Sequence, residues 1–355
     1  MSPEKACLFE HERRAIMDKE YHYYATGLIA KRAGFTEREA EIVAHSSQFV
    51  DENDVALKVR REKKSGRPYR NFISQTMNIL KPKDELMRIY PIFHFIPGDP
   101  EAESAWRRDG KMHRLNTTPN SDNANELLDE AFKAPEDIRL YRVGIATHGF
   151  VDTWAHQNFV GWFDSFNSLD VDIKPAIGHA EAEHHPDWIA HKWQDNRLVV
   201  PEVDNTNRFL SASLALFKKY CAYCVSMGRH DHWPEWDQLK EDLLDIFGKK
   251  FTGNDLRYRQ DRLERFRAHI DLATFDDRDW FDEAIETEVR GFEDSHEGLK
   301  AKLTLFEDRY TWRKDRDKEG TDWFKFQEAV KEQESAGLKL IGPVFDKMNI
   351  DIGKR

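Results

Sequence analysis

The stretch IATHGFVDTWAH, residues 145–156, carries polar side chains at intervals of four residues: His148, Asp152 and His156. On an α-helix, which turns by about 100° per residue, this spacing spreads the three side chains over only about 80° of one face. Two imidazoles and a carboxylate stacked within two turns are suited to bind a hard or borderline metal ion. The alternative is a polar stripe in contact with solvent, or a buried hydrogen-bond network.

The opposite face of this stretch carries apolar residues that suit a packed interior: Ile145, Val151, Trp154 and Ala155. The whole helix is predicted to run from Glu136 to about Val160, with Pro135 at its start. Gly144 and Gly149 lie inside it, where the missing side chains would permit close approach of another helix or leave room beside an ion.

The composition limits the classes of protein to consider. The 355 residues include 39% hydrophobic and 34% charged side chains, enough for one large domain or two ordinary ones. No apolar run reaches the roughly 18 residues that span a bilayer, and the N-terminus lacks the apolar segment of a secretory signal. We therefore expect no transmembrane segment and a cytoplasmic location.

The net charge of −11 argues against a stable nucleic-acid-binding surface. It leaves room for a nucleotide substrate at a metal centre, because bound cations dominate the local field. Three cysteines cannot form a disulfide framework. Cys221 and Cys224 form a single C-x-x-C motif, which we interpret as a helical core pair.

Further candidate metal ligands lie earlier in the chain than residues 145–156. A first helix is predicted from Met17, with apolar residues at helical spacing and Gly34 as its stop. It places Asp18 and His22 four residues apart, so that both can face one ion. The alternative is an acidic residue at a helix start beside a polar histidine.

A capping box of Thr36 and Glu39 predicts that a second helix begins there and continues through Phe49. Asp51 follows where this helix meets a loop, a good position to present a ligand. His45 lies six residues earlier, on a different face, and is interpreted as structural.

Residues 58–70, KVRREKKSGRPYR, form a basic run that we interpret as a solvated loop. The functional alternative is a lid that receives an anionic substrate. In the motif YPIFHFIPGD, residues 90–99, two prolines and a glycine argue against a regular helix. His94 is therefore expected in an extended or turning segment between aromatic residues, either as a core residue or as a metal ligand.

A second pair of the same type follows in KPAIGHAEAEHHPDW, residues 174–188, where His179 and Glu183 are four residues apart. His184 and His185 add further imidazoles, and Pro186 ends the run. A long helix is predicted from Asn207. Beyond it, charged helices alternate with aromatic anchors.

The expected architecture is all-α, because alternation typical of strands is almost absent and no repeat of 20–50 residues is present. We divide the chain into an N-terminal extension, residues 1–16, a metal-binding helical core, residues 17–230, and a charged helical C-terminal region packed on the core, residues 231–355.

The ordered series of candidates resembles the zinc-dependent phospholipase C and single-strand-specific nuclease superfamily. Its pattern is an early His, an Asp, a His, an H-x3-D pair, another His and a final H-x3-E/D pair. The phrases EYHYYATGLIAKRAGF, SQFVDEN, FHFIPG and GIATHGFVDTWAHQNF look like a largely uncharacterised bacterial and fungal offshoot of it. The resemblance covers about residues 17–230 and implies a multi-helix bundle with two or three clustered metal ions.

Carried over by position, the resemblance makes four residues ligands of one metal: Asp51, His94, His148 and Asp152. Asp152 would bridge to a second metal held by His22, and a third would lie on His156, His179 and Glu183. Zinc suits this set, with iron or manganese as alternatives. Asp51 would be the general base, acting on a water that attacks phosphorus.

Three features depart from the family pattern. Family members use the amino group of the mature N-terminus as a ligand, and Asp18 is our proposed substitute. His156 lies closer to Asp152 than the family has it. Either Glu183 or His185 could complete the last site.

The resulting hypothesis is a metal-dependent phosphoesterase that acts on a small-molecule or lipid phosphate ester. One alternative is a helical di-metal oxidoreductase of the di-iron kind, although such sites favour Glu-x-x-His pairs. Another is an HD-type phosphohydrolase, represented only by His230 and Asp231. The third is a non-catalytic helical module with structural zinc. The oligomeric state stays open.

Overall fold

The computed structural model describes residues 19–60, 67–76, 88–169, 178–253, 257–288, 308–350 and 352. A π-helical segment, Lys19–Ala25, leads directly into helix α1, Thr26–Arg32. The other α-helices in these ranges are α2 (Glu37–Glu52), α3 (Ile89–Phe93), α4 (Asp122–Ala131), α5 (Arg139–Ala155), α6 (Asn205–Ser226), α7 (Trp236–Phe247), α8 (Arg257–His269), α9 (Asp279–Ala284) and α10 (Asp322–Lys347).

The described residues also form two small β-sheets, so the prediction of an all-α fold was wrong. Strands β1 (Lys58–Arg60), β2 (Tyr69–Arg70), β5 (Ile285–Glu288) and β6 (Arg309–Trp312) form a mixed sheet in the order β2-β1-β6-β5. In it β1 is antiparallel to β2 and parallel to β6, and β5 is antiparallel to β6. Strands β3 (Lys192–Gln194) and β4 (Glu202–Asp204) form an antiparallel pair.

The mixed sheet changes the interpretation of the basic run. Its two ends, predicted to be loop, are β1 and β2, while residues 61–66 lie outside the described residues. Val59 is fully buried within β1, because one face of the sheet packs on the helical core.

Helix α2 begins where its capping box predicted. The Thr36 side chain accepts from the Glu39 backbone N–H, and the Glu39 carboxylate accepts from the Thr36 backbone N–H. These two bonds satisfy N–H groups that have no partner within the helix. The cap prediction is confirmed, and the helix extends past Phe49 to Glu52.

Helix α5 is the centre of the fold. It packs against α2, α4, α6, α10 and the short helix α3, and all its residues from 141 to 155 are buried. It is shorter than predicted, because it begins at Arg139 and ends at Ala155, so that His156 is its C-cap. The polar residues predicted on one face are therefore also inside the protein, where each needs a partner.

Gly144 allows α2 and α5 to touch. A Cβ atom at this position would lie 2.5 Å from the Val43 carbonyl oxygen and 2.5 Å from Ser46 Cβ, both on α2. A Cβ at Gly149 would similarly lie 2.8 Å from the carbonyl oxygen of Phe93, the last residue of α3. The prediction that these glycines permit close helix approach is confirmed.

Replacing Gly144 by Ala is expected to destabilise the protein by about 1–3 kcal/mol, because the added methyl group must push two backbones apart. The better helix propensity of Ala recovers at most about 1 kcal/mol. Urea unfolding of both proteins measures the difference. Gly342→Ala in α10 is the matched control, since nothing lies within 4 Å of a Cβ there. Equal stabilities of the two variants would contradict the packing argument.

Pro91 is accommodated in the first turn of α3, where its missing N–H is not needed. Residues 89–93 thus form a short helix, which the sequence analysis argued against, while His94 lies in a turn as its C-cap, within the expected extended or turning segment. Cys221 and Cys224 are free and buried in α6, as predicted for a core pair.

The hydrophobic core is continuous from the first helices to the last one. Tyr21 in the π-helical segment and Phe345 in α10 belong to the same cluster of buried residues. Arg262 of α8 forms a buried ion pair with Glu20 at 2.7 Å, which ties the C-terminal region to the first turn. Among the described residues, every helix is too short or too polar to cross a lipid bilayer.

Candidate metal centre

Five separate parts of the chain bring ionisable side chains into the interior beside α5. We call His22, Asp51, His94, His148 and Asp152 group 1. His22 lies in the π-helical segment, Asp51 in the last turn of α2 and His94 at the C-cap of α3. His148 and Asp152 both lie in α5. We call His156, His179 and Asp187 group 2. In each of three sets, the ligand atoms lie within 4.8 Å of one another. The first set is His22, Asp51 and His148, the second is His94, His148 and Asp152, and the third is group 2.

In group 1 the nitrogen and oxygen atoms point at one another. His148 Nε2 lies 3.0 Å from His94 Nδ1, 3.2 Å from Asp152 Oδ2 and 3.6 Å from Asp51 Oδ1. His94 Nδ1 lies 3.7 Å from Asp51 Oδ1 and 3.6 Å from Asp152 Oδ2. His22 Nε2 lies 3.2 Å from the other oxygen of Asp152, and its ring stacks on that of His148.

Backbone carbonyls fix the protonation of the two central rings. The Ser47 carbonyl oxygen lies 2.8 Å from His148 Nδ1, and because a carbonyl only accepts, Nδ1 donates to it. His94 donates from Nε2 to the Ser74 carbonyl oxygen at 2.9 Å. In the neutral rings, the two nitrogens that face group 1 are therefore without hydrogen and present lone pairs.

Between His94, His148 and Asp152, group 1 thus places acceptor atoms against one another. A hydrogen bond between His94 and His148 would need one ring to be doubly protonated. Burial is the largest cause that lowers the pKa of His148, and the neighbouring His22 is the next, so the doubly protonated ring is disfavoured. Asp152 Oδ2 is buried and accepts no hydrogen bond. Lone pairs and carboxylate charge that converge in a buried space are suited to a shared cation.

Group 2 has the same construction. His156 Nδ1 donates to the His94 carbonyl oxygen at 2.9 Å, and His179 Nδ1 donates to the Glu183 carbonyl oxygen at 2.7 Å. The Nε2 atoms then face Asp187, at 3.1 Å for His156 and 3.6 Å for His179. Asp187 Oδ2 is buried without a hydrogen bond. Both groups therefore aim imidazole nitrogens at carboxylate oxygens, and His156 Nε2 is close enough to donate to Asp187 Oδ1 when its ring is protonated.

Asp152 connects the two groups, because its Oδ2 lies 3.5 Å from His156 Nδ1. Burial raises the pKa of Asp152, but the imidazoles of His156, His148 and His22 outweigh it and hold the pKa well below its usual range. Burial lowers the pKa of His156, yet Asp152 and Asp187 raise it to about 9. Without another cation, His156 would carry the positive charge that these carboxylates demand.

Asp51 differs from the other members of group 1 in its surroundings. Its side chain is 12% exposed, compared with 4% or less for the others. Burial raises the pKa of Asp51, and the nearby imidazoles of His148 and His94 act in the opposite direction. Gln75 Nε2 donates to Asp51 Oδ1 at 3.4 Å. Asp51 is thus the carboxylate of group 1 nearest to solvent.

Asp187 was not predicted as a ligand, and it takes the place that the sequence predicted for Glu183 or His185. The Glu183 side chain is exposed and is not a member of group 2. Its backbone carbonyl contributes instead, by orienting His179. His185 Nδ1 lies 2.9 Å from His191 Nε2, away from Asp187. The one sequence feature that could have indicated Asp187 is its position directly after Pro186, within the same histidine-rich run.

Three further candidates have other positions. Asp18 lies outside the described residues. His45 packs between Phe275 and Trp280, with its ring stacked 3.8 Å from Trp280, in keeping with a structural role. His230 and His232 form a group with Glu235 near the surface, separate from the centre.

No curated protein and no solved structure matches the chain. The model of a family of unknown function, DUF6765, matches residues 17–341, and the chain belongs to this family.

Proposed function

We propose that this protein is a metal-dependent hydrolase that acts on phosphate esters. The observation that carries the proposal is the convergence of imidazole nitrogens and carboxylate oxygens in groups 1 and 2. These groups comprise five histidines and three aspartates, joined through Asp152. Such a donor set suits Zn²⁺, and iron or manganese are the alternatives.

The eight residues can be assigned to three ions. Asp51, His94, His148 and Asp152 would hold one ion, and the second oxygen of Asp152 together with His22 would hold a neighbour. Group 2 would hold a third. The backbone carbonyls of Ser47, Ser74, His94 and Glu183 supply the outer hydrogen bonds that orient metal-bound imidazoles.

Clustered divalent cations activate water and stabilise the charge that develops on a phosphate ester under attack. In this chain Asp51 would accept the proton from the attacking water, because it combines contact with His94 and His148 with the largest exposure in group 1. Burial raises the pKa of Asp51, which is the direction that a proton acceptor needs. Gln75 orients the carboxylate.

Two alternatives from the sequence are less well supported by this geometry. Di-iron oxidoreductase sites are built mainly from Glu residues and Glu-x-x-His pairs, whereas groups 1 and 2 are rich in imidazole and hold no Glu. A structural zinc ion needs four ligands in one closed shell. Eight ligands in two connected groups, one of them partly exposed, favour a catalytic cluster.

Metal analysis and hydrolysis by the purified protein test the proposal. We expect two to three transition-metal ions per chain, and hydrolysis of bis(p-nitrophenyl) phosphate or p-nitrophenyl phosphate that a chelator abolishes and zinc restores. His148→Ala should lower the metal content and the activity together, because His148 contacts all four other members of group 1.

His269→Ala is the matched control, because His269 bonds only locally, to the carbonyl oxygen of Arg265. Circular dichroism shows whether each variant is folded. A single bound zinc with no hydrolysis of either ester would support the structural module instead. Full activity in a folded His148→Ala variant would refute the centre.

A further inference from the structure

A further set of metal-ligating side chains lies at the surface, in the loop between α6 and α7. His230, His232 and Glu235 each offer one ligand atom, and these atoms all lie within 4.8 Å of one another. We call these three residues group 3. The proposed hydrolysis uses none of them, so group 3 is a candidate for a separate binding site.

The local sequence HDHWPE, residues 230–235, brings the three side chains together. Trp233–Glu235 form a single 3-10 turn with His232 as its N-cap. Side chains three residues apart eclipse in a 3-10 turn, so Glu235 returns beside His232, and its Oε1 lies 2.8 Å from His232 Nδ1. The rings of His230 and His232 lie edge to face, with their centroids 4.9 Å apart. Group 3 is thus the product of one short turn.

A histidine and a glutamate alone would form an ordinary surface ion pair, which contributes little to stability. His230 distinguishes group 3 from such a pair, because it places a third ligand atom within reach of the same point. Two imidazoles and a carboxylate are ligand types that zinc binds, at about 2.0–2.2 Å. His230 and Glu235 are exposed, so small rotations of their side chains are enough to close the three ligand atoms on one ion.

The loop that carries group 3 is fixed to the turn between α1 and α2. Arg229 donates to both carboxylate oxygens of Glu39 at 2.6 Å, and to the Gly34 carbonyl oxygen at 3.1 Å. Gly34 also lies against the Nε2 edge of the His232 ring, since a Cβ there would be 3.5 Å from Nε2. His232 therefore presents Nδ1 to the other ligands. A loop that is ordered before binding loses less conformational entropy when an ion binds.

We propose that group 3 binds a zinc ion at the surface, in addition to the ions of the metal centre. Three protein ligands leave one tetrahedral position for water, on the side where Glu235 is 50% exposed. All three ligands lie in one loop, so the ion would hold the start of α7 in place. Held by three ligands at the surface, it would dissociate during purification more readily than ions in the buried centre. The inference does not depend on the proposed hydrolysis.

Hydrogen–deuterium exchange of the full chain, measured by mass spectrometry, tests the proposal because it locates the effect of zinc. The protein is stripped with a chelator, and zinc is then added back. Zinc should slow exchange at residues 229–236. His230→Ala should raise the zinc concentration needed for this effect at least about tenfold, because loss of a residue that merely supports a metal ligand already costs about 10–100-fold. Asp152→Asn should keep the effect, because it alters only the metal centre.

Two further variants separate loss of a ligand from loss of structure. Glu235→Gln keeps the shape of the side chain and should weaken the effect of zinc as well. His269→Ala removes a histidine that bonds only to the Arg265 carbonyl oxygen, and it should leave the effect unchanged.

Two results would overturn the proposal. The first is exchange at residues 229–236 that zinc does not slow, or that zinc slows equally in the unaltered protein and in His230→Ala. The second is loss of the effect in a folded Asp152→Asn variant, because the response of the loop would then originate in the metal centre.

Discussion

Replacing Asp152 by Asn is expected to remove metal from both groups and to lower hydrolysis by more than about a hundredfold. At metal sites, mutation of residues that only hydrogen-bond to the metal ligands already lowers metal affinity or activity by up to about a hundredfold. One carboxylate oxygen of Asp152 faces His22, and the other faces His148, His94 and His156. An amide of the same shape keeps one oxygen and loses the negative charge.

Metal content and thermal unfolding with added zinc measure the effect without depending on activity. A ligand that binds only the folded state raises the melting temperature, so zinc should stabilise the unaltered protein strongly and Asp152→Asn weakly. Asp129→Asn, which breaks an ion pair with Lys219 on the surface of α4, is the matched control and should respond to zinc normally. If Asp152→Asn retains its metal ions and its stabilisation by zinc, Asp152 does not join groups 1 and 2.

Features whose determinants lie close together in sequence were predicted well. The Thr36 capping box fixed the start of α2, and the pattern around Cys221 predicted a buried helix. Hydrogen bonds within one turn decide such features, so a short window of sequence contains the cause.

The sheets were missed because their strands are two to four residues long, too short for alternation to appear. Their partners are also distant: β1 pairs with β6, where Val59 lies opposite Tyr310. No local pattern encodes such a pairing, which depends on how the helical core places the two segments. The short helix α3 before His94 was missed for another reason, because the first turn of a helix tolerates Pro91.

In the candidate site, too, local features were predicted from the sequence and features that depend on distant contacts were not. The spacing of His148 and Asp152 on a helix was sufficient to place them together, since α5 is regular there. His179 and Glu183 were expected to share a helical face. Instead, residues 180–182 form a single 3-10 turn and Glu183 adopts a φ of 54°, a left-handed value that ends the turn and directs its side chain to solvent. The chain then returns with Asp187, which lies beyond Pro186 and is not joined to His179 by an α-helix.

This difference leads to a direct comparison of two carboxylates. Asp187→Asn is expected to remove about one metal ion per chain and to reduce hydrolysis at least about tenfold, while Glu183→Gln should retain both. Asp187 faces the Nε2 atoms of His156 and His179 with its two oxygens. Glu183 acts on His179 only through its backbone carbonyl, which the substitution leaves in place.

Metal analysis of the two purified variants decides between them, and the pair controls itself because each change replaces one carboxylate by the isosteric amide. Loss of an ion in Glu183→Gln but not in Asp187→Asn would restore the assignment made from spacing alone and would mean that the turn at residues 180–182 rearranges when metal binds. Loss in both would indicate that this turn and group 2 form one cooperative unit. Loss in Asp187→Asn alone is the expected result, because only Asp187 combines burial, an oxygen without a hydrogen bond and two imidazole nitrogens within reach.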